Sequence, residues 1–504
     1  MRASSPAKMT GEDARIPRQV AVITGSYIEE RNNGDMKETY PKIRYDKLWS
    51  PSGDPFVDAG GYALKFLSEQ FPEKDIIELI EYATNIYVDR WNSKINPIFL
   101  NSKITQTNDN PPQKQKEGTI KFFKDLIGDN ISGSFGFCRV LGIMCKLYPV
   151  GRDLSVLSGS GAFTNFHHSF ESGMMFSKEA IIRYHFLPLA CELLDKNLCV
   201  ISSNNPKTTE LYAGDCCART LLKIGQNAST GILKNKSQST STAIFRFIDK
   251  LLFKYINYDD KESIVLYHFT NFAAKPNLTI YTLPFQAFYF YVLSQRNNYR
   301  GQWNNFVSHY YKTSELSNAK YDEKTSSYIG FEKKEERVIE EAQYKYWFNT
   351  VYDRLLNGKT ILPQILSWSI KKPFSLQLLE NYLILIRNMK NETLSKLREI
   401  ANFILQNTLE VDINKVIVKL NGVNSAFLLR RFILKIVERN YVVGNEEAIV
   451  TVEDYTNYLF PETNSWMEIR DVLLIYIYQL LHERKIKLEI ETTETEEDFV
   501  DDPE

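Results

Sequence analysis

The stretch WSPSGDPFVDAGG, residues 49–61, combines two aspartates, two prolines and a run of small and apolar residues. Asp54 belongs to the residue types that cap the N-terminus of a helix. Phe56, Asp58 and Gly60 follow at positions where they would pack the first turns of that helix. The sequence therefore predicts that this stretch begins a helix and packs its first turns against the rest of the fold, and that it does not contact a ligand.

Residues 43–338 mix helical and strand periodicities. DIIELIEYATNIYVDRW, residues 75–91, places its apolar residues at helical spacing. The strand-like runs are CVISSN (199–204), SIVLYHFTNFA (263–273) and LTIYTLPF (278–285), the last turning into a helix near Pro284. The polar segments 105–118 and 226–243 are predicted to be loops. A mixed α/β N-terminal domain is expected, and the lysine- and glutamate-rich stretch 320–337 separates it from the C-terminal part of the chain.

From residue 339 to residue 487 the apolar period is helical almost throughout. The apolar faces comprise Leu376, Leu379, Leu383 and Ile386; Leu397, Ile400, Ala401, Ile404 and Leu405; Phe427, Ile433, Ile436 and Val437; and the run 472–481. Short connections between such segments predict a helical bundle. The fold class is therefore α+β, with an all-α C-terminal bundle after the mixed domain.

Basic residues are concentrated in the predicted bundle. Residues 371–440 contain twelve bases and six acids. Arg431, Lys435 and Arg439 recur every four residues, so they share one helix face. Such a pattern is also typical of an ordinary solvated face.

Both ends of the chain differ in composition from its body. Residues 1–42 are predicted to be an extension, and Met36 is a candidate for the true start. Residues 488–504 hold nine acids and no base, which leaves 61 basic and 53 acidic residues elsewhere. This composition predicts a disordered acidic tail on a positively charged body. A positive body is compatible with a polyanionic partner.

Cysteine usage and hydropathy indicate a cytoplasmic protein. Six cysteines in 504 residues are too sparse for a disulfide framework, and the chain opens without an apolar signal sequence. No window of eighteen apolar residues occurs, so a membrane span is not expected. Cys138, Cys145, Cys216 and Cys217 form no C-x-x-C pair, and inert thiols are favoured over a zinc site, which stays open.

The loop LSGSGAFTNFHHSFESG, residues 157–173, concentrates the candidate chemistry of the N-terminal part. His167 and His168 are adjacent and lack the i, i+4 spacing of zinc helices, although Glu171 and Asp153 are near in sequence. The S-G-S-G run suits a phosphate nest, yet no Walker lysine follows it. Ser160 lacks the G-x-S-x-G spacing of a nucleophile. A loop shaped by histidine-to-backbone hydrogen bonds is an equal alternative.

Several blocks resemble one known family. The opening block 49–61 resembles the large subunit of CRISPR type I-B Cascade complexes, in the branch with a T/S-G-D/N-P-F-V-D-A/T-G signature. NPIFLNSKITQ (96–106), GRDLSVLSGSGAFTNFHHSFESG (151–173) and LYHFTNFAAKPNLTIYTLP (266–284) resemble that family's later blocks, in order. The resemblance covers residues 43–300. The C-terminal helical half shares the helical character of that family but not its motifs. The paired C-x-x-C motifs of some members are absent from this chain.

The resemblance implies a non-enzymatic subunit without a cofactor. Its expected partners are a guide RNA, target double-stranded DNA, the Cascade backbone and small subunits, and a separate helicase–nuclease. Such a subunit checks the protospacer-adjacent motif, helps to open the duplex and holds the displaced strand. The candidate nucleic-acid-binding residues are Asn101, Lys103, Arg152, Ser158, Ser160, Asn165, His167, His168, Arg431, Lys435 and Arg439. Ser102, between the first two, is a further candidate.

Two other functions are open on the sequence alone. One is a metal-dependent nuclease or hydrolase that uses His167, His168 and nearby acids. The other is a protein-interaction scaffold whose basic face serves acidic partners. The bundle also resembles the Cascade small subunit in kind, and an internal start at Met389 would yield residues 389–504 as a separate product.

Overall fold

The computed structural model describes residues 37–107, 110–157, 173–254, 262–270, 277–461 and 465–486. The helices are α1 (Pro55–Gln70), α2 (Ile76–Asn85), α3 (Pro112–Ile127), α4 (Lys178–Phe186), α5 (Pro206–Gly225), α6 (Thr240–Lys254), α7 (Phe285–Ser294), α8 (Arg300–Ser308), α9 (Glu341–Tyr344), α10 (Thr350–Leu356), α11 (Leu362–Lys371), α12 (Leu376–Leu385), α13 (Asn391–Gln406), α14 (Glu410–Asn421), α15 (Ala426–Val442) and α16 (Trp466–Glu483). Short 3₁₀ segments cover Tyr45–Lys47 and Leu187–Ala190, and π-helical segments cover Ile86–Arg90 and Asp454–Leu459.

The strands lie mainly in the first two thirds of the chain. They are β1 (Ser134–Phe137), β2 (Met144–Val150), β3 (Met174–Phe176), β4 (Glu192–Leu194), β5 (Asn197–Ser203), β6 (Leu233–Lys234), β7 (Ile264–Thr270), β8 (Asn277–Leu283), β9 (Tyr311–Lys312), β10 (Ser317–Asp322), β11 (Ser327–Glu332), β12 (Glu335–Ile339) and β13 (Phe348–Asn349). The fold is α+β with a mostly helical C-terminal region, as the sequence predicts.

The central sheet has the strand order β6-β4-β5-β7-β8. The pair β4–β6 is parallel and the other pairs are antiparallel. A smaller sheet joins β1, β2 and β3, and a second one joins β10, β11 and β12. The strand predictions at 199–204, 263–273 and 278–285 are confirmed, and so is the turn into α7 after Pro284.

The opening motif begins α1 as predicted. Asp54 is the N-cap, and its Oδ1 atom accepts hydrogen bonds from the backbone N–H groups of Phe56 (3.0 Å) and Val57 (2.9 Å). Pro55 occupies the first helical position, where its missing N–H costs nothing. The ring of Phe56 packs edge-on against Phe269 of β7 at 4.7 Å between centroids, which docks the helix on the central sheet.

Asp58, one turn into α1, pairs with Arg183 of α4. The two side chains are 2.5 Å apart, and the Arg183 side chain is 0% exposed. Asp58 also accepts hydrogen bonds from Ser52 and from the N–H of Gly53, so the carboxylate ties the preceding turn to the helix. Because a buried charge without a partner is strongly destabilising, this pair fixes where α1 lies on α4.

The two glycines of the motif allow that close approach. A Cβ atom on Gly60 would lie 2.1 Å from the backbone oxygen of Arg183, and one on Gly61 would lie 2.7 Å from the backbone oxygen of Leu48. Backbone atoms cannot retreat as a flexible side chain can. The small residues of the motif are therefore required by helix packing, which supports the structural role predicted for Asp54, Phe56, Asp58 and Gly60.

Three local predictions are wrong. The segment 105–118 is not a loop throughout, because α3 starts at Pro112 and its glutamine, lysine and glutamate residues are good helix formers. The segment 226–243 contains β6 and the start of α6. The C-terminal part is not purely helical, because β12 ends at Ile339 and β13 pairs with β9.

The stretch 320–337, predicted to separate two domains, contributes to the sheet β10-β11-β12. Buried apolar residues on both sides of it belong to one contiguous core. Phe290 of α7, for example, packs edge-on against Tyr382 of α12 at 5.4 Å between ring centroids. Across the described ranges, no helix is long and apolar enough to cross a membrane. The predicted extension up to residue 36 and the acidic tail lie outside the described residues.

The helix faces of the bundle follow the predicted spacing with one exception. Leu397, Ile400, Ala401, Ile404 and Leu405 are all buried in α13. Phe427, assigned to a buried face with Ile436, is instead 64% exposed. The two positions are nine residues apart, which is two and a half helical turns, so they lie on opposite sides of α15.

Replacing Gly60 tests the docking of α1. We expect Gly60→Ala to lower the free energy of unfolding by about 1–3 kcal/mol, because the added methyl group meets the Arg183 backbone. Urea denaturation measures the change. Gly118→Ala in α3 is the matched control, since no heavy atom lies within 4 Å of its added Cβ; it should be neutral or stabilise by up to about 1 kcal/mol. Equal effects of the two substitutions would contradict the packing account.

Buried His185 of α4 makes the stability depend on pH. Burial lowers the pKa of its imidazole to about 4, from a usual value of about 6.5. Between pH ~6.5 and ~4 the His185 imidazole is therefore protonated in the unfolded chain but neutral in the folded chain. Burial of the neutral imidazole carries no protonation penalty above pH ~6.5, and the folded state loses stability as the pH falls toward 4. We expect a loss on the order of 3 kcal/mol across that window.

Denaturant unfolding at a series of pH values measures this loss. The His185→Gln variant is the control, because it has no titrating group and should show a shallower pH dependence between pH ~6.5 and ~5, above the range where carboxylates titrate. Identical slopes for the two proteins would contradict the assignment to His185.

Candidate nucleic-acid interface

Helix α15 presents the predicted basic face to solvent. It carries four bases and one acid, Glu438. Arg431, Lys435 and Arg439 are all exposed, whereas Leu429, Phe432, Ile433 and Ile436 on the other side of the helix are buried. Ser425 caps the helix by accepting the Leu428 N–H at 3.3 Å. The apolar stripe thus fixes the helix rotation and turns the cations outward.

Helix α14 adds two cations beside this face. Lys415 and Lys419 are exposed and lie one turn apart. Lys419 is close enough to Lys435 for the two ammonium groups to interact: partial burial, and then the charge of Lys435, lower the pKa of Lys419. Two cations held together in this way favour an anion between them. We call the set Lys415, Lys419, Arg431, Lys435 and Arg439 the basic groove.

The cavity between α14 and α15 has a volume of about 330 Å³. Its lining includes Thr408, Leu409, Lys419 and Arg439. The guanidinium of Arg439 donates a hydrogen bond to the backbone oxygen of Asn407, which holds that side chain across the end of the cavity. The cavity is open to solvent, which suits an extended ligand more than an enclosed small molecule.

Several bundle cations outside the groove form ion pairs with acids. Arg387 pairs with Glu468 at 2.6 Å, Lys396 with Asp454 at 3.2 Å, and Arg398 with Glu380. Within the groove, Lys415 pairs with Asp412 at 2.8 Å. Among the ion pairs formed between described residues, none involves Lys419, Arg431, Lys435 or Arg439. The groove thus groups four exposed cations that have no acidic partner among the described residues.

An exposed aromatic ring adjoins the cations. Phe427 is in the first turn of α15, and the guanidinium carbon of Arg431 lies 5.6 Å from its ring centroid. Exposed aromatic rings beside basic side chains form stacking platforms for unpaired bases, and the cation contributes to the stacking. Phe427, Lys415 and Lys419 were not predicted as site residues. The i, i+4 spacing of the two lysines was a signal for a second basic face, but only helix packing places it beside the first.

Three predicted residues of the N-terminal part lie on two connected loops. Asn101 and Lys103 are exposed, and Asn101 has a left-handed backbone with φ of 62°. The N–H of Leu100 donates to the backbone oxygen of Arg152 at 2.8 Å, which joins the 96–106 loop to the loop that starts at Gly151. Arg152 is partly exposed. The structure therefore brings these three predicted residues into one neighbourhood.

Ser102 has a different role from its two neighbours. It is buried, and its backbone N–H donates to the Thr105 hydroxyl at 2.8 Å, while the Thr105 N–H donates to the Ser102 hydroxyl at 3.2 Å. Ser102 thus holds the loop in shape and leaves Asn101 and Lys103 at its surface. The prediction that Ser102 contacts DNA is not supported by this placement.

The remaining predicted residues lie outside the described part of the chain. These are Ser158, Ser160, Asn165, His167 and His168, together with Glu171. Their assignment, and the metal-dependent alternative that uses the histidine pair, therefore stay predictions. The segment that contains them begins after Leu157, five residues from Arg152 in sequence.

The cysteines show no metal-binding arrangement among the described residues. No group of three or more histidine, cysteine or acidic side chains is placed to hold a metal ion in the ranges the structure covers. Cys138, Cys216 and Cys217 are buried free thiols, and burial raises the pKa of the thiols of Cys216 and Cys217. Burial also raises the pKa of the partly exposed Cys145 to about 11. Thiols with raised pKa values are poor metal ligands and poor nucleophiles.

Comparison with known proteins does not assign this chain to a family. No protein-family profile matches the chain, and no curated protein matches it significantly.

Proposed function

We propose that this protein binds nucleic acid through the basic groove and acts as the large subunit of a type I CRISPR RNA-guided surveillance complex. The observation that carries the binding proposal is the concentration of unpaired cations in the groove beside exposed Phe427. The CRISPR assignment is supported by the resemblance of residues 43–300 to that family. On this proposal the protein is cytoplasmic and has no catalytic activity of its own.

The groove suits a single strand better than a duplex. Lys419, Lys435 and Arg439 would contact successive phosphates, which gives affinity without sequence preference. Phe427 would stack on an unpaired base, a contact that a duplex does not offer. In a surveillance complex the strand of this kind is the one displaced when the guide RNA pairs with its target.

The loops that carry Asn101, Lys103 and Arg152 are assigned to the target duplex. Lysine and arginine contacts to phosphates position a protein on DNA, whereas an asparagine can pair with the edge of an adenine. Their common neighbourhood, together with the adjoining segment that includes Asn165, His167 and His168, is proposed to contact the protospacer-adjacent motif or the guide RNA. Base pairing by the guide then supplies the rest of the sequence specificity. Recruitment of a helicase–nuclease is part of the same proposal.

Removing three groove charges tests the binding proposal. The variant Lys419→Ala/Lys435→Ala/Arg439→Ala should bind a labelled single-stranded oligonucleotide roughly tenfold or more weakly at low salt. The slope of log affinity against log salt should fall by about two, since each lost contact to a single strand contributes ~0.7. Fluorescence anisotropy over a range of salt concentrations measures both quantities.

The matched control removes three exposed lysines of α3, in Lys114→Ala/Lys121→Ala/Lys124→Ala. It should keep the wild-type slope. A second variant, Phe427→Ala, should lose about 1–3 kcal/mol of binding free energy with the slope unchanged, because stacking releases no counterions. Arg431→Ala should weaken binding without changing the preferred adjacent motif. Equal losses in the α3 and groove variants would contradict the proposal.

A further inference from the structure

The described chain ends beside the basic groove. Helix α16 finishes at Glu483, and the next residue, Arg484, donates through Nη1 to the backbone oxygen of Leu405 at 3.3 Å. Leu405 lies in the last turn of α13, three residues before Thr408, which lines the groove. Arg439 of α15 donates to the backbone oxygen of Asn407, two residues after Leu405. The C-terminal segment therefore leaves the bundle next to the groove entrance.

The sequence beyond that point complements the groove in charge. Residues 488–504, LEIETTETEEDFVDDPE, contain nine acids and no base. The groove contributes five cations, and four of them take part in no ion pair among the described residues. At ~3.3 Å per residue, the 18 residues after Ile486 can extend about 60 Å, so their reach is ample.

Exposed apolar side chains on and beside the two groove helices also match the few apolar residues of that segment. Leu409, Val411 and Val418 of the α14 region and Leu434 of α15 are exposed large apolar side chains. The C-terminal sequence interleaves Leu488, Ile490 and Phe499 with its acids. An acidic peptide with a few apolar residues would therefore match both the cations of the groove and the exposed apolar side chains near it.

We infer that the acidic segment 488–504 docks in the basic groove of its own chain and must be displaced before nucleic acid enters. The docking follows from position and charge, and only the competition with nucleic acid rests on the proposed function. The segment then competes with nucleic acid for the groove, so strands that bind weakly and non-specifically would not displace it. A strand with many phosphate contacts would still displace it.

Carbodiimide cross-linking of the full chain tests the docking. This reagent joins lysine amines directly to carboxylates, and peptide mass spectrometry identifies the joined residues. We expect the acids of 488–504 to cross-link to Lys415, Lys419 and Lys435, with a yield that falls as salt rises. A mixture of isotopically light and heavy protein should give cross-links within one chain only. Comparable yields at Lys114, Lys121 and Lys124, cross-links between chains, or none to the groove would overturn the inference.

A neutral-tail chain separates this inference from the proposed function. In this full-length variant all nine acids of 488–504 become the corresponding amides. We expect it to bind a single-stranded oligonucleotide at least about fivefold more tightly than the wild type at low salt. Groove cross-links in the wild type with no oligonucleotide binding by either chain would uphold docking and reject nucleic-acid binding. Oligonucleotide binding of equal affinity by both chains, without groove cross-links, would reject docking and leave the proposed function standing.

Discussion

The buried contact between Arg183 and Asp58 is the constraint on which the N-terminal half of the structure depends. The Arg183 side chain donates to the backbone oxygens of Val57, Lys47 and Ser50 as well as to the Asp58 carboxylate. The backbone oxygens satisfy N–H groups that are shielded from water, and loss of the Asp58 carboxylate would leave the guanidinium charge buried and uncompensated. The 49–61 motif, α4 and the segment before α1 are therefore fixed together, and the motif is structural.

The bundle distributes its charges differently from this buried pair. Arg387, Lys396 and Arg398 are matched by acids, so their charges are largely neutralised at the surface. Lys419, Arg431, Lys435 and Arg439 of α14 and α15 have no such partners among the described residues, and Arg431 lies beside the exposed ring of Phe427. Because phosphate contacts draw on uncompensated charge, the groove is suited to a polyanion. Under the two proposals above, nucleic acid and the acidic segment 488–504 would compete for it.

Features that depend on residues close together in the sequence could be predicted, whereas contacts between distant segments could not. The Asp54 cap and the buried face of α13 follow from residue types a few positions apart, and both were predicted. Arg183 was not, because it is 125 residues from Asp58 and no local pattern marks it as the partner. The spacing of Arg431, Lys435 and Arg439 indicated one basic face, whereas its union with Lys419 requires the packing of α14 on α15. Exposed Phe427 was misassigned because an apolar residue near a helix start was counted as core.

Co-purification of the tagged chain with the products of its neighbouring genes, followed by sequencing of any bound RNA, tests the central claim most directly. On the proposed function, we expect recovery of a repeat-derived guide RNA together with backbone subunits. Variants of the basic groove should retain that complex, because on the same proposal the groove contacts only the displaced strand. Recovery of a lone protein that carries no RNA and binds metal stoichiometrically would contradict it, and would point instead to the histidine pair His167 and His168 as a catalytic site.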